Sequence, residues 1–367
     1  MTGVRRRAAG LITAAGLVPM LRYAFDIGRS SARVLAYHRV LPRVPEESLF
    51  TDVELVSAWL DEFESQMRHL AQHYRPMSCT EFVDRLDRGA KIPTRAVIVT
   101  FDDGFSDNFL HAYPVMRRFQ IPATVFLATD YVDRGRRFWF EAVASMVCRT
   151  VADRCELSTL AAPIEIAEGL PARRAVLGRL LRHLKGLENC ARIRAVDELR
   201  HCLGVDPDAC HEAEHGPLSW DQVREMAANG IEFGSHTVSH PVLSRVLDEE
   251  TLRSELVHSK STIEREVGRP VTAFAYPVGG ESAVNEAVLA ASRAAGYRLA
   301  FTYRAGVTTL RREERFSLRR LPVERYVDRT MFEALLAAPE LFADRPRRRP
   351  VVGAPEGAAS GGRVTTA

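Results

Sequence analysis

The sequence predicts an α/β fold in which parallel strands alternate with helices, and three observations carry that expectation. Short apolar, β-branched runs recur at residues 33–38, 74–78, 96–101, 123–128, 231–235, 272–276 and 298–303. Helical patterns with recognisable start and stop signals separate them. The runs are continuously apolar rather than alternating, as befits strands buried on both faces. Seven such runs suit either a closed barrel or an open sheet, and in both the ligand site lies at the carboxyl ends of the strands.

At the N-terminus, Arg5-Arg6-Arg7 and the apolar run 8–20 match the first two regions of a signal peptide. No small-x-small cleavage region follows, and Pro19, Arg22 and Asp26 interrupt the run before the roughly 20 apolar residues a bilayer span needs. Residues 1–32 are therefore expected to form an amphipathic or membrane-surface segment. That implies peripheral membrane contact and a cytoplasmic location, with secretion by an atypical signal peptide as the alternative.

Thr51 and Glu54 form a T-x-x-E pattern predicting a capping box that opens a helix through about Tyr74. Ser219 and Gln222 predict the same for a helix closing at Gly230. The helix beginning near Asp248 should stop at Gly268-Arg269-Pro270, and the next at Gly296. Between residues 131 and 216 the strand rhythm disappears, and 172–187 and 191–203 read as helices. This stretch is too long for a connecting loop, so it is taken as an inserted helical subdomain between a first barrel part, 33–130, and a second with a closing helix, 217–344. Residues 345–367 are rich in Arg, Pro, Gly and Ala and predict a disordered tail.

Composition bounds the function. With 46% apolar and 26% charged residues, the 367-residue chain is an ordinary globular protein. Fifty Lys and Arg nearly balance 47 Asp and Glu, leaving +3, so no basic field points to nucleic acid. The local basic clusters at 5–7 and 345–349 read as solvated ends. The six cysteines, at 79, 148, 155, 190, 202 and 210, contain no C-x-x-C pair and read as reduced thiols. Cys202, Cys210, His211 and His215 fit no standard zinc spacing and read as packing or polar loop.

Two segments carry chemistry. Val97-Ile98-Val99-Thr100-Phe101 runs straight into Asp102, Asp103 and Gly104, placing two carboxylates at a strand's carboxyl end. Asp-Asp-Gly alone is a common turn. Adjacent carboxylates repel, however, which raises one pKa unless a cation sits beside them. The second segment, Gly234-Ser235-His236-Thr237-Val238-Ser239-His240-Pro241, also leaves an apolar strand. Were it extended, the histidines would lie about 13 Å apart. If the chain turns after Ser235, both imidazoles can come within about 2.0–2.1 Å of one ion. Two histidines and one carboxylate leave positions open for water and substrate, a catalytic pattern. The second carboxylate is then free as a base for amide or ester hydrolysis.

The Thr-Phe-Asp-Asp-Gly and His-Thr-x-x-x-His segments, in this order at strand ends, resemble the polysaccharide deacetylases of carbohydrate esterase family 4, the nodulation protein B homology group. The resemblance extends to residues 35–40, 121–126 and 274–277. It implies a distorted seven-stranded (β/α) barrel that removes acetyl groups from sugars. It also implies Asp102 as catalytic base, Asp103, His236 and His240 as ligands of a divalent ion, zinc foremost, and an N-acetylated carbohydrate as partner, with a lipid-linked sugar among the options.

Departures from the pattern shape the remaining expectations. Where the family carries an arginine that orients the base, this chain has Ala275-Tyr276-Pro277-Val278. Arg320 is the candidate replacement. The Val278 backbone N–H is a candidate oxyanion donor, and His38, Tyr276 and Pro277 are candidate substrate contacts. The family's late Leu-x-His is absent, so no second general acid is evident. The rival readings are a deformylase or amidase on a lipid-linked sugar or small cyclic amide, and a degenerate carbohydrate-binding protein.

Overall fold

The computed structural model describes residues 2–26, 31–209, 216–309 and 315–343. The tail predicted at 345–367, and Cys210, His211 and His215, lie outside the described residues.

Seven parallel strands close into a barrel: β1 Ser31–Tyr37, β2 Ala96–Phe101, β3 Ala123–Leu127, β4 Glu232–Ser235, β5 Ala273–Ala275, β6 Leu299–Ala305 and β7 Leu318–Pro322. The ring runs β1-β7-β6-β5-β4-β3-β2, and β2 pairs back onto β1 from Arg33↔Val97 to Tyr37↔Phe101. It is distorted. β4 and β5 share a single registered pair, Phe274↔Ser235, and the β6–β7 register shifts between Phe301 and Ala305.

The number of strands matches the sequence expectation, but one member differs. Residues 74–78 contribute only the two-residue strand Arg75–Pro76, which pairs with the start of β2 outside the ring. The seventh wall is β7, concealed in the sequence by its two arginines.

Strand alternation sorts the side chains into two layers. Val34, Ile98, Phe126, Ala275, Phe301 and Leu318 pack together as the barrel interior. Their alternate neighbours, including Leu35, Val97, Val99 and Val125, pack outward in the large cluster that also contains helix residues. Gly234 in β4 is required by this filling, because a Cβ there would lie 2.5 Å from the Phe126 ring.

The helices that bear on function are α1 Thr2–Ala14, α2 Val18–Asp26, α3 Leu60–His73, α4 Trp139–Arg149, α5 Leu170–Gly186, α6 Asn189–Leu203, α7 Trp220–Ala228, α8 Glu249–Val267 and α9 Arg329–Ala337. The Ser219–Gln222 capping box opens α7, and Gly268 in the left-handed region closes α8. The box expected at Thr51 and Glu54 does not form. Asp52 accepts from the Glu54 N–H at 3.1 Å and caps a 3₁₀ turn, Val53–Leu55, after which the chain runs through the strand Val56–Trp59 before α3 begins. Thr51 is drawn away because its hydroxyl donates to the buried Glu141 carboxylate.

Helices α4, α5 and α6 surround an apolar cluster of their own, with Phe138, Val143, Leu177, Leu180 and Leu199 buried together. Each large side chain there contributes roughly 1.5–3 kcal/mol relative to exposure. Helices α1 and α2 pack on α9. Arg5 Nη1 donates to the Ala343 carbonyl at 3.0 Å and Arg6 pairs with Asp328 at 2.7 Å. Among the described residues no single helix is long and apolar enough to cross a membrane, and the α1–α2 pair is bent by 103°.

Candidate active site

The two motifs meet at the carboxyl ends of the strands. In β2 the even-numbered residues Ala96 and Ile98 face the interior, and Asp102 continues that inward row. Its backbone N–H donates to the Tyr37 carbonyl of β1 at 2.9 Å. The chain then reverses through Asp103 at φ 72° and Gly104 at φ 80°. A Cβ on Gly104 would come within 2.4 Å of Leu127 Cδ2, so glycine is needed for both conformation and space.

The histidine segment does turn after Ser235. Thr237 and His240 both occupy the left-handed region, at φ 73° and 54°, which for non-glycine residues costs about 1–3 kcal/mol each. Surrounding hydrogen bonds hold the turn. The Glu255 carboxylate of α8 accepts from the N–H groups of Val238 at 2.8 Å and Ser239 at 2.9 Å, and from the Ser239 hydroxyl at 2.6 Å. Trp139 Nε1 donates to the His240 carbonyl at 3.1 Å, tying the loop to α4. The imidazole centroids are consequently 4.9 Å apart.

Asp103 Oδ1 lies 3.5 Å from His236 Nε2 and 3.2 Å from His240 Nε2, and all three residues are buried. His236 Nδ1 donates to the Ala275 carbonyl at 2.7 Å, which leaves Nε2 as the lone-pair nitrogen. Burial lowers the His236 pKa to about 4. It lowers that of His240 to about 3, with the Lys185 and Arg192 charges adding. Both rings are therefore neutral near pH 7. Asp103 is also buried, and Oδ1 has no hydrogen-bond partner. Three buried atoms of metal-ligating type thus converge, and a cation between them would give the partnerless Asp103 Oδ1 a partner. One carboxylate oxygen and two imidazole nitrogens fit a divalent metal ion.

Asp102 stands beside this triad with a different partner. Arg320 Nη1 and Nη2 donate to Oδ1 and Oδ2, each at 2.7 Å, in a bidentate fork. Arg320 is fully buried, and its Nε donates to the Thr302 carbonyl at 3.0 Å. Burial would push the Asp102 carboxyl up, but the Arg320 guanidinium, with His236 adding, holds it well below the usual carboxylate range. His38 Nε2 is 3.9 Å from Asp102 Oδ2, and burial pulls its pKa down against the pull of Asp103 and Asp102.

Asp102, Asp103, His38, His236 and His240 line a cavity of about 330 Å³ that also includes Tyr276, Val278 and Lys185. Val278 is in the left-handed region at φ 64°. The Tyr276 hydroxyl donates to the Phe316 carbonyl at 2.9 Å, so its proton is committed there while the residue still lines the cavity. Pro277, expected as a substrate contact, is not among the residues that line the cavity; it precedes the turn that presents Val278.

Sequence reasoning missed the supports of the site. Glu255 lies mid-helix among other acidic residues and carries no local signal. Arg39 and Asp107 form a fully buried pair at 2.8 Å. Asp107 also accepts the Val40 N–H at 3.0 Å, and Asn108 Nδ2 donates to the His38 carbonyl at 2.8 Å, fixing the end of β1. The aspartate and asparagine come three and four residues after Gly104 of the Asp-Asp-Gly turn, a proximity that could have suggested them.

The family model for polysaccharide deacetylases matches residues 89–300. The chain belongs to the polysaccharide deacetylase family. It is 22% identical over 276 residues to the Bacillus subtilis (strain 168) protein YxkH, covering 75% of this chain and 68% of that one. Over 111 residues it is 32% identical to the poly-beta-1,6-N-acetyl-D-glucosamine N-deacetylase of Staphylococcus epidermidis, covering 28% of this chain and 38% of that protein. The solved Streptococcus pyogenes deacetylase PplD, in complex with acetate, superposes with a TM-score of 0.56 at 19% identity, covering 84% of this chain and 97% of that one. At that identity the likeness shows the fold. Family and geometry together make this chain a polysaccharide deacetylase with a candidate Asp-His-His metal site.

Proposed function

We propose that the chain is a zinc-dependent N-deacetylase that releases acetate from an N-acetylated amino-sugar unit, with Asp102 as general base. The observation that carries this reading is the separation of two adjacent carboxylates. Asp102 is held ionised by the Arg320 fork, while Asp103 faces two neutral imidazoles. A divalent ion held by Asp103, His236 and His240 supplies Lewis acidity at the carbonyl and draws the pKa of water down towards about 7.

The chain's own residues then divide the work. Asp102 accepts a proton from the attacking water, and Arg320 fixes the orientation of that carboxylate. The Val278 N–H, which takes no other partner among the described residues, serves the developing oxyanion. His38 contributes a polar edge beside Asp102. The carbohydrate-binding reading rests on the missing arginine and the missing late Leu-x-His, and the Arg320 fork on Asp102 supports the enzyme on the first count.

The name of the S. epidermidis relative supports an N-acetylglucosamine unit as substrate. Exposed Val4, Leu11, Met20 and Tyr23 on α1 and α2 support a membrane-surface position and with it a lipid-linked substrate. The test is acetate release from N-acetylglucosamine oligomers and from lipid-linked N-acetylated sugars, with and without chelator. Release that chelator abolishes and zinc restores is expected. Chelator-resistant release, or none from any N-acetylated sugar, contradicts the reading.

A further inference from the structure

Hydrolysing an amide requires a second proton transfer, because the departing nitrogen must be protonated as its bond to carbon breaks. Asp102, with both oxygens in the Arg320 fork, is assigned to the first transfer, from water. Other donors in the cavity are committed. His236 gives its Nδ1 proton to Ala275, Tyr276 its hydroxyl to Phe316, and Tyr303 its hydroxyl to Glu324. Asp52 caps the 53–55 turn.

The ring nitrogens of His38 and His240 Nδ1 also lack a hydrogen bond, but His240 belongs to the metal triad and His38 sits beside the base, 3.9 Å from Asp102 Oδ2, which leaves one further ionisable side chain in the wall without such a commitment. Lys185, on the last turn of α5 in the helical insertion, lines the cavity with Asp103 and His240. No hydrogen bond or ion pair holds its ammonium among the described residues. The wall also carries Asp52, Glu54 and Glu324 beside the catalytic pair, and the Asp52 and Asp103 charges favour the protonated ammonium there without a direct ion pair. Its backbone is anchored by Leu181 and Leu184, both buried in the insertion's own core.

Resting on the deacetylase reading above, we infer that Lys185 is the general acid that protonates the leaving amine, so that the helical insertion completes the active site. As the tetrahedral intermediate collapses, the C–N electron pair passes to nitrogen and a proton from Lys185 Nζ joins it. The acetyl carbon keeps the oxygen derived from water. Lys185 is left neutral and regains a proton from solvent, while Asp102 returns to solvent the proton it took from water. Burial already draws the Lys185 pKa down from the usual lysine value, with Asp52 and Asp103 pulling the other way, which eases that transfer.

The test compares Lys185→Met and Lys185→Arg on two substrates, an N-acetylglucosamine oligomer and 4-nitrophenyl acetate, whose phenolate leaves without a proton. Zinc content and unfolding midpoint are recorded for each variant. Both variants should lose about 100-fold or more in kcat on the oligomer, with KM within about threefold, and the loss on the ester should be under about tenfold. Arginine should not rescue, because it keeps the charge but cannot release a proton near neutral pH. Rescue by arginine, an equal loss on both substrates, or no loss on the oligomer would each overturn the assignment. Wild-type protein with zinc that releases no acetate from either substrate would overturn the deacetylase reading itself, an outcome visible before any variant is made.

Discussion

Asp102 and Arg320 form a buried ion pair, so each is costly without the other. Arg320→Met should destabilise the chain by roughly 3–5 kcal/mol, read by denaturant unfolding, because it leaves a buried carboxylate unpaired. Arg320→Lys keeps the charge but loses the fork. It should fold and bind metal while kcat falls about 100-fold, the scale of a displaced catalytic group. A kcat within about threefold of wild type would show that orientation by the fork does not matter. The aspartates were legible in the sequence because an unbroken apolar strand pointed at them. Arg320 was only half legible. Leu318-Arg319-Arg320-Leu321 offers two arginines, and strand alternation alone decides between them: Arg319 is exposed and Arg320 is 0% exposed. Without knowing that this segment is a strand, the choice has no physical basis.

Among the secondary-structure elements, α8 matters to the site through Glu255, which grips the strained His236–His240 loop by three hydrogen bonds. Glu255→Ala should weaken zinc affinity about 10–100-fold, as loss of a ligand's support does, while helix content is retained. Unchanged affinity in a competition titration would show that the loop holds its shape alone. The packing of α3 on α9 carries a separate pH signature. His69 lies 3.6 Å from Glu333 and near Phe332, and burial lowers its pKa to about 4 against the pull of Glu333. Between about pH 6.5 and 4 the unfolded chain binds a proton there that the folded chain does not, so stability is lost as pH falls through that window. His69→Leu should therefore show a smaller drop in unfolding midpoint from pH 7.5 to 5 than wild type; an equal drop would remove His69 from the account. Element ends with strong local chemistry, Ser219 with Gln222 and Gly268, were readable in advance. The Thr51 box was not, because a distant buried carboxylate, Glu141, outbids the local N–H for its hydroxyl. No window of sequence contains that competition.

For the whole molecule, the barrel brings Asp102, Asp103, His236, His240 and Val278 to one cavity, and the helices between β3 and β4 bring Phe140 and Lys185 to it. Zinc binding should stabilise the entire chain, since a preformed triad exists only when β2 and β4 are assembled. At a zinc concentration about 100 times Kd the gain is roughly 2.7 kcal/mol. Chelator should thus lower the unfolding midpoint of wild type by several degrees and leave His240→Ala unmoved; a chelator shift persisting in His240→Ala would place the ion elsewhere.

The division of roles between neighbouring aspartates is tested most directly by measuring zinc stoichiometry and acetate release together in Asp102→Asn and Asp103→Asn. Asp102→Asn should keep close to one zinc per chain while turnover falls about 100-fold or more, and Asp103→Asn should lose both. Wild-type turnover in Asp102→Asn, or full zinc and turnover in Asp103→Asn, would contradict that division.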